Sequence, residues 1–506
     1  MVYYNKQKRR RFVNWFTLIA VALLVSIPLF HNLGLQPVRL WDEARRAFNT
    51  LDMMDGGSWI VTHFRGEPDM WGTKPPFLIW FQALSMSVFG VNAFALRFPS
   101  AFAALFTAIA MLYFSTRFMN NRWYGALAAI ILVTSSGYLS RHIARTGDFD
   151  SLLTLFMFLY AMYFYKVIHI DRAIKRKKSI WLMMLFFTLA VFTKGIAAFL
   201  FLPGLTIYLF INRGYKKLLY NPHFYFALAG SVLLIAAFYL GREWLNPGYL
   251  KAVWQNELGG RYLVALEGNQ EPWYFYIVGL VKRRFAYWCF FILPAILGAF
   301  YFRERKIIRF LSFGGLLIAT YLVIISFSKT KLMWYDAPLF PLLSIFGAIG
   351  VMYILYLLQY LPQYLFKVGY RSHVTGLFLS AIALFFLLHH PVKETLIRIK
   401  QDDMEPWHKE WYAFGHLVQS KSFEPHKLEG FCFLQKGYQP QNWFYQEQLN
   451  RTYGISLPNC SIDEMAIGDK VIVVQKDMKV KLRSYYVLET INSYPPLEMY
   501  QLVDKR

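Results

Sequence analysis

Acidic side chains are scarce in this chain: 30 among 506 residues, against 54 Lys and Arg. Only 15 of those acids precede residue 392, where 39 Lys and Arg stand. Cysteine is scarcer still, and neither Cys289, Cys432 and Cys460 nor the 11 His follow the spacing of a structural zinc site. Charged residues make up 17% of the chain and apolar ones 56%, which excludes an ordinary soluble domain.

Long apolar runs take the place of the missing charge. They lie at 14–33, 97–116, 122–140, 150–168, 179–193, 196–211, 222–241, 285–302, 307–327, 337–358 and 372–390, roughly eleven spans, with the pair between 179 and 211 short for a crossing. This predicts a polytopic α-helical membrane protein. The first run follows the basic stretch Lys6–Arg11, is too long for a signal-peptide core and has no small-residue cleavage site, so it reads as a retained anchor with a cytoplasmic N-terminus.

The net charge of +24 could suggest nucleic acid, but its distribution excludes that partner. Residues 392–506 are balanced at 15 basic and 15 acidic, and 22 of the remaining Lys and Arg sit in six loops: 6–11, Arg117/Arg122, 166–178, 213–217, 303–309 and 367–371. These are alternate loops, the pattern of positive-inside topology. Phe77–Gly90 decides the register. If that fourteen-residue segment crossed, every later basic loop would flip outward, so it is expected to lie in the interface as a juxtamembrane helix.

The external face then collects the 34–96 loop, the Arg141–Asp150 turn, Lys194, the 242–282 loop, the Ser328–Tyr335 turn and the tail. Six of the scarce acids fall between Leu40 and Leu96: Asp42, Glu43, Asp52, Asp55, Glu67 and Asp69. Ordering so charged a loop costs entropy that packing seldom recovers, which points to function. Asp42-Glu43 and the Gly72–Pro76 turn are expected to face a shared site at the membrane surface.

Asp148 and Asp150 open the next span, either as helix-terminal carboxylates paired with Arg145 or as substrate or metal ligands. Lys194 either snorkels to head groups or awaits a phosphate. Glu243, Glu257, Glu267 and Glu271 lie in a loop long enough to form a lid, though each alone suits solvated surface. Lys329 and Lys331 stand on the outer side against the charge rule, which an anionic lipid phosphate would compensate, while Trp334 and Tyr335 suit an aromatic belt. From 392 to 506 the chain reads as a small α/β binding or capping module, with helices near 406–420 and 442–450 and strands at 429–434, 470–475, 485–491 and 498–503. Cys432 and Cys460 could pair there if the tail is exported.

Taken together, Asp42-Glu43, Gly66-Glu67-Pro68, Lys74-Pro75-Pro76, Phe89–Asn92, Arg97–Ser100, Arg145 to Thr154, Lys194-Gly195 and Lys331…Tyr335…Pro338…Pro341 resemble the GT-C glycosyltransferases of the protein O-mannosyltransferase and aminoarabinose transferase type. The resemblance covers roughly residues 10–350. It implies a catalytic membrane domain over 1–391, with juxtamembrane helices in the 34–96 loop, and an exoplasmic α/β domain over 392–506. It also implies an enzyme of a bacterial inner membrane, with a periplasmic tail, that moves a sugar from a polyprenyl-phosphate donor to a lipid, glycan or protein acceptor. Asp42 carries over as catalytic base, with Glu43 and Asp150 beside it. Lys74 carries over as donor-phosphate ligand, joined by Lys331, Arg145 and Lys194, with Asp148 and Tyr335 toward substrate. No cofactor is required, though a divalent cation would assist.

One departure stands out: the aminoarabinose transferases carry Glu directly before the Lys-Pro-Pro lysine, where this chain has Thr73, which weakens both a metal role there and lipid A as acceptor. No Trp-Trp-Asp-Tyr-Gly run is present, which separates the chain from oligosaccharyltransferases. A transporter or flippase of a lipid-linked anion is the rival class, but it would place polar residues at the bilayer midplane rather than at one face.

Overall fold

A computed structural model describes residues 2–170, 172–260, 270–366, 370–400 and 409–506. The chain forms two compact units, each discontinuous in sequence. The first holds Met1–His31, Pro68–Leu78 and Ser100–Ile399, and the second Asn32–Glu67, Ile79–Pro99 and Lys400–Arg506.

The first unit is helical. Among the described residues, seven helices of the chain are long and apolar enough to cross a membrane, eight if the bent pair Phe275–Arg284 and Ala286–Tyr301 counts as one. Trp15–Phe30, Phe77–Phe89 and Arg122–Thr134 are shorter apolar helices, which accounts for part of the difference from eleven. Helix Asp150–His169 is central, with 83% of its apolar stretch buried. Pro222–Leu245 and His373–Arg398 bury only 11% and present apolar side chains outward, as helices facing lipid do. Where helices meet, glycine lets backbones touch: a Cβ on Gly376 would collide with the carbonyl of Gln359.

The stretch Ala173–Ile211 is helical throughout, yet its halves reach opposite ends of one neighbour. Lys194 Nζ binds Asp150, the first residue of helix Asp150–His169, while Tyr208 Oη lies 2.8 Å from Nε2 of His169, the last. The chain therefore reverses between them. Gly195, at φ 53°, takes the left-handed conformation the reversal requires.

The second unit joins the tail to the first loop. Its sheet runs Phe431–Leu434, Lys470–Val473, Leu497–Lys505, Tyr486–Tyr494, with the first pair parallel and the others antiparallel. All four strands fall close to their expected positions, and helices Lys409–Gln419 and Pro440–Tyr453 match the two anticipated. A third helix, Lys476–Tyr485, was not foreseen, because only Met478 and Leu482 anchor it to the apolar core. Cys432 and Cys460 form a disulfide.

Phe48 and Leu51 of helix Asp42–Met54 share one buried cluster with Phe414, Phe433, Phe444 and Tyr445 of the tail. Helix Phe77–Phe89 joins this unit from Ile79 onward. Near its start Trp80 Nε1 donates to Trp59 O (2.8 Å), and beyond its end Arg97 reaches Glu43.

Candidate functional site

In the first unit, Asp69 builds the turn that presents Lys74. Its Oδ1 accepts from Trp71 N (3.1 Å) and Gly72 N (2.8 Å), and a Cβ on Gly72 would strike Oδ2 at 2.5 Å. Pro75 and Pro76 then start helix Phe77–Phe89 with preset φ. Lys74 Nζ pairs with Glu257 Oε1 at 3.0 Å, and the same oxygen accepts from Thr73 Oγ1 at 3.1 Å. Tyr249 Oη donates to Thr73 O (2.7 Å), and burial pushes its hydroxyl pKa up, so it remains a donor. Beside this cluster Met70, Trp71, Gly248, Lys251, Ala252, Gln255 and Asn256 line an open cleft of about 520 Å³.

A second cluster lies at the start of helix Asp150–His169. Lys194 Nζ lies 2.6 and 2.7 Å from the two oxygens of Asp150 and 5.4 Å from the centre of the Tyr335 ring. His142 Nδ1 is 2.9 Å from Asp148 Oδ2, and its ring stacks on Trp334 at 3.6 Å. Arg284 pairs with buried Asp336 at 2.8 Å. A line of tyrosines joins the clusters: a Cβ on Gly195 would lie 3.1 Å from Tyr239 Oη, and Tyr239 stacks on Tyr249 at 5.9 Å.

Asp148, Asp150, Lys194 and Tyr335 thus come together, with Lys331 on the segment leading to Tyr335. Lys331 is 7% exposed and donates to Ser328 O at 2.7 Å, and none of the described carboxylates pairs with it. Burial pushes its pKa down, Lys329 adds to this, and Glu271 opposes it. Arg145, anticipated as an ion-pair partner of Asp148 or Asp150, reaches a helix end. Its guanidinium caps helix Val2–Phe30, donating to the carbonyls of Pro28, Leu29 and His31 at 2.7–3.2 Å.

Asp42 and Glu43 belong to the second unit. Asp42 is the half-exposed first residue of helix Asp42–Met54, with Arg46 at 3.5 Å. Trp41 before it sits at φ 71°, a strained conformation for a bulky residue, of the sort stored at functional sites. Glu43 is 1% exposed and receives Arg97 through both oxygens, at 2.7 and 2.9 Å, and Arg39 N at 2.8 Å. Tyr445 Oη accepts from Val38 N (2.8 Å) and Tyr412 Oη from Leu40 N (3.1 Å), so the tail fixes the segment that leads to Asp42.

Sequence reasoning passed over His142 and Arg284, and it assigned Glu257 to a lid or solvated surface, whereas Glu257 is largely buried against Lys74. Thr73 was the available signal for Glu257: with Glu absent before Lys74, another carboxylate had to meet the lysine. Glu267 lies outside the described residues. Among the described residues no three His, Cys, Asp or Glu side chains gather as a ligand set, and Glu257 is engaged by Lys74 and Thr73.

Residues 73–240 match the family model described as dolichyl-phosphate-mannose-protein mannosyltransferase. Among solved structures, the fold is similar to that of ArnT from Cupriavidus metallidurans bound to undecaprenyl phosphate, with TM-score 0.63 and 16% identity over 96% of this chain and 97% of that one. The chain has the GT-C glycosyltransferase fold. This GT-C chain is 26% identical over 334 residues to an Aquifex aeolicus protein, covering 64% of this chain and 63% of that one. It is also 28% identical over 337 residues to the undecaprenyl phosphate-alpha-4-amino-4-deoxy-L-arabinose arabinosyl transferase of Aeromonas salmonicida, covering 65% and 59%. It therefore spans about three fifths of the length of these relatives.

Proposed function

We propose that the chain is a membrane glycosyltransferase that transfers a sugar from a polyprenyl-phosphate donor to a lipid, glycan or protein acceptor on the exoplasmic side. The observation that carries this reading is where the family match falls. It begins at Thr73-Lys74 and includes Asp148, Asp150 and Lys194, the residues gathered in the first unit. The GT-C fold supports an enzyme over a transporter of a lipid-linked anion.

In this mechanism Asp42 removes the acceptor proton as the acceptor oxygen attacks the anomeric carbon. The bond to the donor phosphate breaks, and the polyprenyl phosphate leaves with the electron pair. One displacement inverts the anomeric centre. The leaving phosphate gains negative charge, which in this reading Lys74 and Lys331 receive as cations. Glu257 orients Lys74, and the Asp150–Lys194 pair positions Tyr335 toward substrate. Glu43 and the tail tyrosines hold the segment behind Asp42. A bacterial inner membrane with a periplasmic tail suits the Cys432–Cys460 disulfide, which needs an oxidising compartment.

The test is transfer in detergent from a radiolabelled polyprenyl-phosphate sugar, comparing the native protein with Asp42→Asn and Lys74→Ala. Both variants should fold and lose transfer, Asp42→Asn by two or more orders of magnitude, as for loss of a general base. Native rates in both would sink the assignment.

A further inference from the structure

A second cavity, of about 160 Å³, lies in the first unit apart from the residues assigned above to transfer, its lining mostly apolar with arginines set into it. It is lined where helix Arg122–Thr134 ends, along the Arg283–Trp288 segment, and at the His390–Arg398 end of helix Tyr370–Arg398. Its wall is rich in donors. Arg283 and Arg398 are exposed and line it from opposite segments; none of the described carboxylates pairs with either, and Arg398 has one long bond, to Ser136 O at 3.3 Å. Two further donors are buried there: Trp288 is 1% exposed and its Nε1 finds no acceptor, and Arg284 is 7% exposed and its Nε finds none, although its other nitrogens are engaged.

Leaving a buried donor without an acceptor costs about 1–3 kcal/mol, and native structures seldom leave two such donors in one wall. Guanidinium forks and an indole N–H share one complement, an oxyanion with several acceptor oxygens. Glu394 also lines the cavity and opposes an anion, so the two exposed arginines must outweigh it. A tetrahedral phosphate fits the volume. Helix ends that flank a span lie at head-group depth, where phosphates are concentrated.

We propose that this cavity is a phosphate-binding site, distinct from the Lys74 and Lys331 positions, that takes the head-group phosphate of an anionic lipid or a free phosphate of the same chemistry. The proposal stands independently of the transfer reaction, since it rests on the donors alone.

Native mass spectrometry of the full chain in detergent tests it, with phosphatidylglycerol, phosphatidylcholine and inorganic phosphate titrated separately. Phosphatidylglycerol should bind at least tenfold more tightly than phosphatidylcholine. The Arg283→Ala/Arg398→Ala double variant should lose that preference, whereas Glu394→Gln should strengthen it. Both arginines are exposed, so the double variant should fold, which an unchanged melting profile would verify. If inorganic phosphate binds with the same arginine dependence, the site is confirmed with a soluble anion as its source. Equal binding of the two lipids with no retention of phosphate, or retention of phosphatidylglycerol by the double variant, would overturn the proposal.

Discussion

Glu43 and Asp42 are neighbours with opposite expected behaviour, and Glu43→Gln separates them. The Arg97 guanidinium is held by both Glu43 oxygens and by the carbonyls of Leu33, Gln36 and Pro37 at 2.7–3.0 Å, with Arg97 1% exposed. Glutamine offers one acceptor oxygen where the carboxylate offers two, so an Arg97 N–H would face the amide NH2 in either orientation, joined in one of them by Arg39 N. Removing one partner of a buried ion pair costs about 3–5 kcal/mol, because the other charge remains buried. At ~1.4 kcal/mol per tenfold, local opening should become more frequent by about two to three and a half powers of ten. Hydrogen exchange of the amides in helix Asp42–Met54 reads this directly. The double variant Glu43→Leu/Arg97→Met should recover part of the protection, since no buried charge remains, but not all, since three carbonyls lose their donor. Exchange at the native rate in Glu43→Gln, with transfer lost, would refute the reasoning and return Glu43 to the chemistry.

Three further outcomes follow from the same geometry. Burial lowers the Lys331 pKa, so its charge is complete at low pH and is lost, as pH rises, before that of an exposed lysine; donor KM should climb on that alkaline limb, and Lys331→Arg should flatten it. Glu257→Gln weakens the hold on Lys74 and should raise donor KM on the order of tenfold with little change in melting temperature, the strength of one charge-assisted bond. Cys432→Ser/Cys460→Ser opens a loop with sequence separation 28, worth about 3.6 kcal/mol by chain entropy, and should lower the denaturant midpoint of the tail; an unchanged midpoint would remove the disulfide from the account.

The parts legible in the sequence were those with a local signature. Apolar length located the long helices, the short run after Pro75-Pro76 marked helix Phe77–Phe89, and alternation placed the tail strands. What was not legible depends on pairing at a distance. Lys74 and Glu257 are 183 residues apart, Arg97 and Glu43 54, and Lys194 and Asp150 44, and no window along the chain registers such pairs. The same blindness hid the composition of the second unit: nothing local in Pro37–Leu40 announces that Tyr412 and Tyr445 will bind it.

That last contact carries a parity condition. Val38 and Tyr445 are 407 residues apart and hydrogen-bonded, so both lie on one side of the bilayer and the chain between them crosses an even number of times. The ten apolar runs read in the sequence from 97–116 to 372–390 make an even number. Failure of any single run to insert would strand the two tyrosines on the wrong face. A misinserted copy would then lack the Val38–Tyr445 and Leu40–Tyr412 hydrogen bonds that tie the tail to the first loop.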